Sequence, residues 1–517
     1  MGTSNYSNLL SQKSKKFFTD LSNNNPSQII YYNYKDLSEK IQLKVSIKQI
    51  KKECIYKIRL FNIINNEKKP LNEIVDCSPQ DDEEVILNTP IITWFFFEKE
   101  QPLFIEISKE SPELSKNSEI KTTLGCIMGS RKNTWEKEIF PSESEKLIIQ
   151  AEKLKENEEK LNIIFDIIPQ KKKVSFSEMK YKMYYEVFSD NILYRSECLN
   201  DKGIFNIVKI PLSFFKNNNI KIIFYKSNRK IRGDFDLTVD EFIKGKDFDM
   251  RVNGVYFKII SKSKLKKDYT FVDYLKAGLE VGLSVAIDFT GSNGSPDNPS
   301  SLHYIYGPEP NQYERAINSC GKIVSFYDYD QKFPCFGFGA KINNQSFQLF
   351  NLNLQKDPNI QYVEGIIEAY HNAIKKVKLY GPTFFGPIIR EMNKIIKLEN
   401  NKSKYHILMI LTDGIIDDID STIDELVEAS FLPISVIIIG VGNADFNSMN
   451  ILDADDNPLI SSKGVKAARD LVQFVPFLKY ESNNEKLANE VLEEIPRQVI
   501  DYYEQNNLDP MKISFHK

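Results

Sequence analysis

Histidine and cysteine are scarce in this chain, whose 517 residues include four His and six Cys. The histidines are His303, His371, His406 and His516, and none falls in HExxH spacing. Among Cys54, Cys77, Cys126, Cys198, Cys320 and Cys335, no two form a CxxC pair. Both absences argue against a zinc ribbon, a RING-type finger and a thioredoxin-like centre. Scattered thiols fit a reducing compartment, each Cys being read as a small buried hydrophobe. Long apolar runs are missing too. The most apolar stretches, Ile434 to Val441 and Trp94 to Phe97, are too short to cross a bilayer and read as buried strands. Neither sign of charge dominates: 68 basic residues face 71 acidic ones, for a net charge of −3. Without a global basic field, nucleic acid is not an expected partner, and any charge-driven function must use local patches. Residues 1–27 are rich in Ser, Asn and Lys and have no apolar core. They are expected to form a disordered tail rather than a signal peptide. The chain opens Met1-Gly2, but Tyr6 stands where a myristoylation signal wants Ser or Thr.

Apolar material is plentiful, with 41% hydrophobic residues that include 34 Phe and 25 Tyr. That suffices for several cores, and at roughly 100–200 residues per domain the length suggests about three domains. The first half is patterned as β structure. Ile41-Gln-Leu-Lys-Val-Ser-Ile47 alternates apolar and polar residues, as a half-buried strand does. Tyr56 to Ile63, Ile91 to Phe97, Leu103 to Ile107 and Ile120 to Met128 read as further strands. Glu143 to Lys160 is charged and reads as a helix-like link. A second β series follows, through Leu161 to Ile168, Met179 to Phe188, Ile204 to Ile210, Ile220 to Tyr225 and Val255 to Ile260. Each series has the length of one antiparallel sandwich, so two are expected, at 28–150 and 160–262.

From 270 to 510, apolar strands alternate with amphipathic helices. The strands are Leu283 to Phe289, Phe333 to Lys341, Phe347 to Leu352, His406 to Leu411 and Ile434 to Gly440. The helices are Gln312 to Tyr327, Tyr362 to Val377, Phe385 to Leu398, Thr422 to Ser430 and Lys486 to Gln505. This pattern predicts a doubly wound, Rossmann-like α/β domain covered on both faces, which binds ligands at the carboxyl ends of its strands. The first strand ends Asp288-Phe-Thr290-Gly-Ser292, with oxygen-bearing side chains at i, i+2 and i+4. A later strand ends Leu411-Thr-Asp413-Gly414, and Leu379-Tyr-Gly-Pro-Thr383 puts a hydroxyl in a loop between them. Two carboxylates, three hydroxyls and no soft ligand suit a small hard cation such as Mg²⁺ (or Mn²⁺). Neutral hydroxyls leave such an ion underneutralised, ready to take a carboxylate from a partner protein.

Over roughly 271–510 the chain resembles the von Willebrand factor A-type domain of copines. The resemblance lies in Phe271-Val-Asp-Tyr-Leu275 through Asp288-Phe-Thr290, then Ser301-Leu-His-Tyr304, Phe336-Gly-Phe-Gly-Ala340 and Leu379-Tyr-Gly-Pro-Thr383. It continues in Leu411-Thr-Asp-Gly414, Gly440-Val-Gly-Asn-Ala-Asp-Phe446 and Val472-Gln-Phe-Val-Pro-Phe477. It implies a metal-ion-dependent adhesion site of the pattern DxTxS…T…D, on Asp288, Thr290, Ser292, Thr383 and Asp413. It also implies two C2-type sandwiches ahead of that domain, calcium-dependent binding to anionic phospholipid and recruitment of target proteins. The implied setting is cytoplasmic, peripherally associated with the plasma membrane or other intracellular membranes.

The chain departs from that pattern in the sandwiches. No Asp lies between Asp36 and Asp76, between Asp82 and Asp166, or between Asp166 and Asp190. Aligned to the family's WDxD-like run, Phe224 and Lys226 replace the aspartates. No full Ca²⁺ site is therefore expected in either sandwich, since calcium wants several carboxylates. Lys171, Lys172, Lys173, Lys226, Arg229 and Lys230 stand nearby, basic residues able to attract an anionic leaflet without calcium. A protein-interaction scaffold that no longer binds lipid is the alternative. No enzyme is expected: GxSxG is absent, and no general base is identifiable beside the Asp288 motif.

Overall fold

The computed structural model describes residues 39–511 and 513, apart from 51–53, 65–66, 73–74, 78–83, 88, 112–114, 142, 155–158, 170–182, 190–191, 197–204, 206–207, 227–230, 253–254, 268 and 454–457. The expected tail, 1–27, lies outside the described residues. So do Lys171, Lys172, Lys173, Arg229 and Lys230, and the side chain of Lys226. Two compact units emerge: 36–156 together with 269–517, and 157–268.

The first β module has two antiparallel sheets. In Glu39–Lys48, Ile41, Leu43, Val45 and Ile47 are buried on one face while Gln42, Lys44 and Ser46 look outward. This strand pairs with Lys146–Lys153 and with Ile91–Phe95. In the other sheet Ile55–Ile64 pairs with Pro102–Glu110, which pairs with Ser115–Thr123. Tyr56, Ile58 and Leu60 meet Leu43 and Val45 in one core. Each sheet thus covers one apolar face with the other sheet.

Two expectations fail here. The helix-like link of 143–160 contains the strand Lys146–Lys153, with Leu147, Ile149 and Ala151 buried between more exposed neighbours. Pairing with Ile41 to Lys48 along its whole length outweighs the helix propensity of its Lys and Glu. The strand expected at 120–128 stops at Thr123, whose side chain accepts the Cys126 N–H at 3.0 Å and caps the helix Leu124–Gly129.

The second unit is antiparallel β structure around an aromatic core of Phe165, Tyr185, Phe224, Phe235 and Phe242. Phe224 is fully buried, 5.1 Å from Phe165 centroid to centroid. Its side chain is core packing.

The α/β half carries a sheet ordered Phe350–Asn351, Lys332–Phe338, Glu280–Asp288, Lys404–Thr412, Ile434–Gly440, Val472–Pro476. The last five strands run parallel. Alternate residues of each strand face opposite cores. Val285, Ile287, Met409 and Leu411 meet the helices Gln312–Val324 and Val363–Ile374. Ala286, Leu408 and Ile410 meet Gly386–Glu399 and Ile419–Ala429. The last expected helix is two, Asn484–Leu492 and Ile495–Gln505, the second opened by Pro496.

Candidate metal centre

Glu280–Asp288 leads on to Lys332–Phe338 on one side, while Lys404–Thr412 leads on to Ile434–Gly440 on the other. Their carboxyl ends therefore flank the point where the strand order reverses, the place where open α/β sheets bind ligands. Asp288 ends the first of these strands and Asp413 directly follows the second.

Four of the five expected ligands form one hydrogen-bonded cluster. Thr290 donates to Asp288 Oδ1 twice, from its hydroxyl at 2.6 Å and its N–H at 2.8 Å. Ser292 Oγ donates to Asp413 Oδ1 at 2.9 Å and lies 3.0 Å from Thr290 Oγ1. Thr383 arrives on the neighbouring loop, which Tyr380 ties to the first strand: its N–H donates to Phe289 O and its carbonyl accepts from Gly291 N–H at 2.9 Å. Thr383 itself is held through its backbone, its N–H donating to Asp417 Oδ2 at 2.8 Å. Asp418 then accepts the N–H groups of Phe385 and Gly386, fixing the start of the following helix. Gly339 completes the packing. Its φ is +73°, and a Cβ there would sit 2.3 Å from Thr290 Cγ2.

Sequence reasoning missed some supports. Thr412 donates to Asp288 Oδ2 at 2.6 Å, so both oxygens of that carboxylate are engaged. Its position beside Asp413 was the available signal. His303 is fully buried, with Nε2 2.8 Å from the Asp288 carbonyl oxygen and Nδ1 2.7 Å from Tyr370 Oη. Burial pushes its imidazole down to about 3, so it stays neutral. Nothing local in Ser301-Leu-His-Tyr304 announces that contact.

The electrostatics ask for a cation. Asp288 is wholly buried, and burial, followed by the nearby Asp413 carboxylate, pushes it up to about 7. The groups that hold it down are the neutral Thr290 and Thr412. Burial raises Asp413 as well. Two repelling carboxylates with the hydroxyls of Thr290, Ser292 and Thr412 on them form an oxygen-only setting that fits Mg²⁺ or Mn²⁺. Asp288, Thr290, Ser292, Thr383 and Asp413 are the residues that would hold the ion.

Among solved structures, the chain is similar to the manganese-loaded TRAP protein of Plasmodium vivax, at 15% identity over 39% of this chain and 70% of that one, with a TM-score of 0.26. It is also similar to a von Willebrand factor type A protein from Catenulispora acidiphila, at 10% identity over 67% of this chain and 52% of that one, TM-score 0.24. Human GIVD cytosolic phospholipase A2 matches at 9% identity over 58% of this chain and 42% of that one, TM-score 0.16. At such scores none of these likenesses bears on function. A family model described as Copine matches residues 301–511, a stretch that includes Thr383 and Asp413 and begins just after Ser292. Within those residues, the chain carries a copine domain.

Proposed function

We propose that this protein is a copine-like intracellular adaptor whose A-type site recruits target proteins through Mg²⁺. The observation that carries this is the convergence of Asp288 and Asp413 with Thr290 and Ser292 at the carboxyl ends of two paired parallel strands. The ion, when bound, supplies a Lewis-acidic position for an acidic side chain of the partner. This chain's own residues do the rest. Thr412 and Thr290 fix the Asp288 carboxylate, Ser292 orients Asp413, and His303 braces the strand end from beneath. On this reading the role is binding rather than catalysis; the neighbouring imidazole, engaged at both nitrogens, acts as a structural support.

The copine domain supports the family-level reading of a protein-interaction role. The C2-type character of the two β modules, their attraction to anionic phospholipid and a cytoplasmic, membrane-peripheral location belong to the same proposal. Among the described residues, no helix is long and apolar enough to cross a membrane. The alternative, a scaffold without lipid binding, draws support from the missing aspartates: Phe224, which replaces one of them, is core packing and offers no ligand oxygen.

The test is affinity capture from a lysate with full-length protein in Mg²⁺ or EDTA, alongside Asp288→Ala. Partners should be lost in EDTA and in Asp288→Ala alike. Capture that survives the substitution sinks the metal mechanism. Sedimentation with phosphatidylserine vesicles, with and without chelator, decides between adaptor and scaffold: a protein that stays in the supernatant under both conditions is the scaffold.

A further inference from the structure

The same sheet carries a second group of acids at its opposite end. Glu280 opens the strand that Asp288 closes, so the two lie about 26 Å apart at roughly 3.3 Å per residue. Carboxylate oxygens of Glu280, Asp328 and Asp330 lie within 4.8 Å of one another. Asp328 is 3% exposed. Its Oδ1 accepts the Gln331 N–H at 2.9 Å, but its Oδ2 is buried without a hydrogen-bond partner. A buried, unpartnered carboxylate oxygen is costly and calls for a cation or a proton. The oxygen faces Gly282, where a Cβ would lie 3.4 Å away. Gly282 and Asp330 also line a cavity of about 110 Å³, together with Ser284, Lys332, Lys404 and His406. Ser284 Oγ, also buried and unpartnered, is a second oxygen at that cavity.

We propose that Glu280, Asp328 and Asp330 hold a second divalent cation, calcium by preference, with water filling the cavity beside Ser284. Lys404 does not already fill the role. Its Nζ is 3.3 Å from Glu280 Oε1, and it is one positive charge against three carboxylates. Burial still pushes Asp328 up to about 7 despite that lysine. Three carboxylates and no compact octahedral frame favour Ca²⁺, which accepts six to eight oxygens in irregular geometry, over Mg²⁺. The donor set is thus the reverse of the Asp288 centre, which is rich in hydroxyls. The site also has something to control. Tyr327, one residue before Asp328, packs 4.8 Å from Phe97 of the first β module. An ion on the 328–330 turn would stiffen the segment that joins the two.

The test is calorimetric titration of CaCl₂ into the full-length Asp288→Ala protein, in which the other centre is disabled. One calcium should still bind. Adding Asp330→Asn, a change at an exposed position that leaves the buried Asp328 in place, should weaken that binding by at least about tenfold through loss of a charged ligand. Either an Asp288→Ala protein that binds no calcium or an isotherm unmoved by Asp330→Asn overturns the proposal. The second result would locate the ion elsewhere in the chain.

Discussion

The two β modules follow one another in the chain but are built into the molecule differently. The first shares a continuous core with the α/β half: Leu43, Tyr56 and Phe97 belong to the same cluster as Phe271, Leu283 and Tyr327. Phe97 wedges between Phe271, at 5.1 Å, and Tyr327, at 4.8 Å. Around it, Lys153 pairs with Asp273 at 3.2 Å, and Thr270 donates to Glu39 Oε2 at 2.7 Å. The second module keeps its own aromatic core, centred on Phe165 and Phe224. Chain order is therefore not the order of assembly. The α/β half has one β module bound into its core, while the other β module is a unit of its own.

The largest expected effects test that division directly. Phe97→Ala and Phe224→Ala should each cost about 3–5 kcal/mol, as removing a buried aromatic does. They should act on different transitions. In a calorimetric scan of the full chain, Phe97→Ala lowers the transition shared by the first module and the α/β half. Phe224→Ala lowers only that of 157–268. A single transition shifted by both would mean that the two units unfold as one.

A smaller effect is expected where backbones meet. A Cβ on Gly129 would lie 1.9 Å from the Phe326 carbonyl oxygen, and no side-chain rotation relieves a clash with backbone. Gly129→Ala should cost about 1–3 kcal/mol by overpacking and again move only the shared transition. Urea titration read by tryptophan fluorescence follows it, since Trp94 and Trp135 both lie in the first module. An unmoved midpoint would show that the junction is loosely packed.

Little of that junction was legible in the sequence, for a physical reason. Periodicity reports which face of an element is buried but not what buries it. Phe97 and Phe271 are each plainly apolar, yet 174 positions separate them (271 minus 97), and no local pattern pairs them. The parallel sheet was legible because its strands are short apolar runs between amphipathic helices. The Asp288 cluster was legible because three of its ligands sit on one strand end at spacing two. Lys146–Lys153 was misread because its outward face, apart from Ile148, is Lys146, Gln150 and Glu152, which are helix formers. Its inward Leu147, Ile149 and Ala151 already carried the period of two that marks a strand. The acid cluster at Glu280 was invisible because Asp328 and Asp330 meet it only through the sheet.

The smallest effect is pH dependence, and here two carboxylates of the first module act with opposite sign. Glu143 accepts from Lys109 at 2.6 Å and from Lys116, and Lys109 foremost holds it down to about 2. Unfolded, its value is near 4.5. Between those values the unfolded chain binds the proton more readily, so the stability Glu143 provides is complete above about 4.5 and lost as pH falls toward 2. Glu39 is shifted the other way. Burial raises it, against the pull of Thr270, Lys153 and the Val272 N–H. Its contribution is greatest below the ordinary 4.5 and declines as pH rises through its folded value. Glu143→Gln should therefore flatten the acid limb of the stability profile of the shared transition, and Glu39→Gln its decline at higher pH. Neither should touch the transition of 157–268. Urea midpoints measured from pH 3 to pH 8 check all three statements. A change in the 157–268 transition with either substitution would break the division between the two β modules.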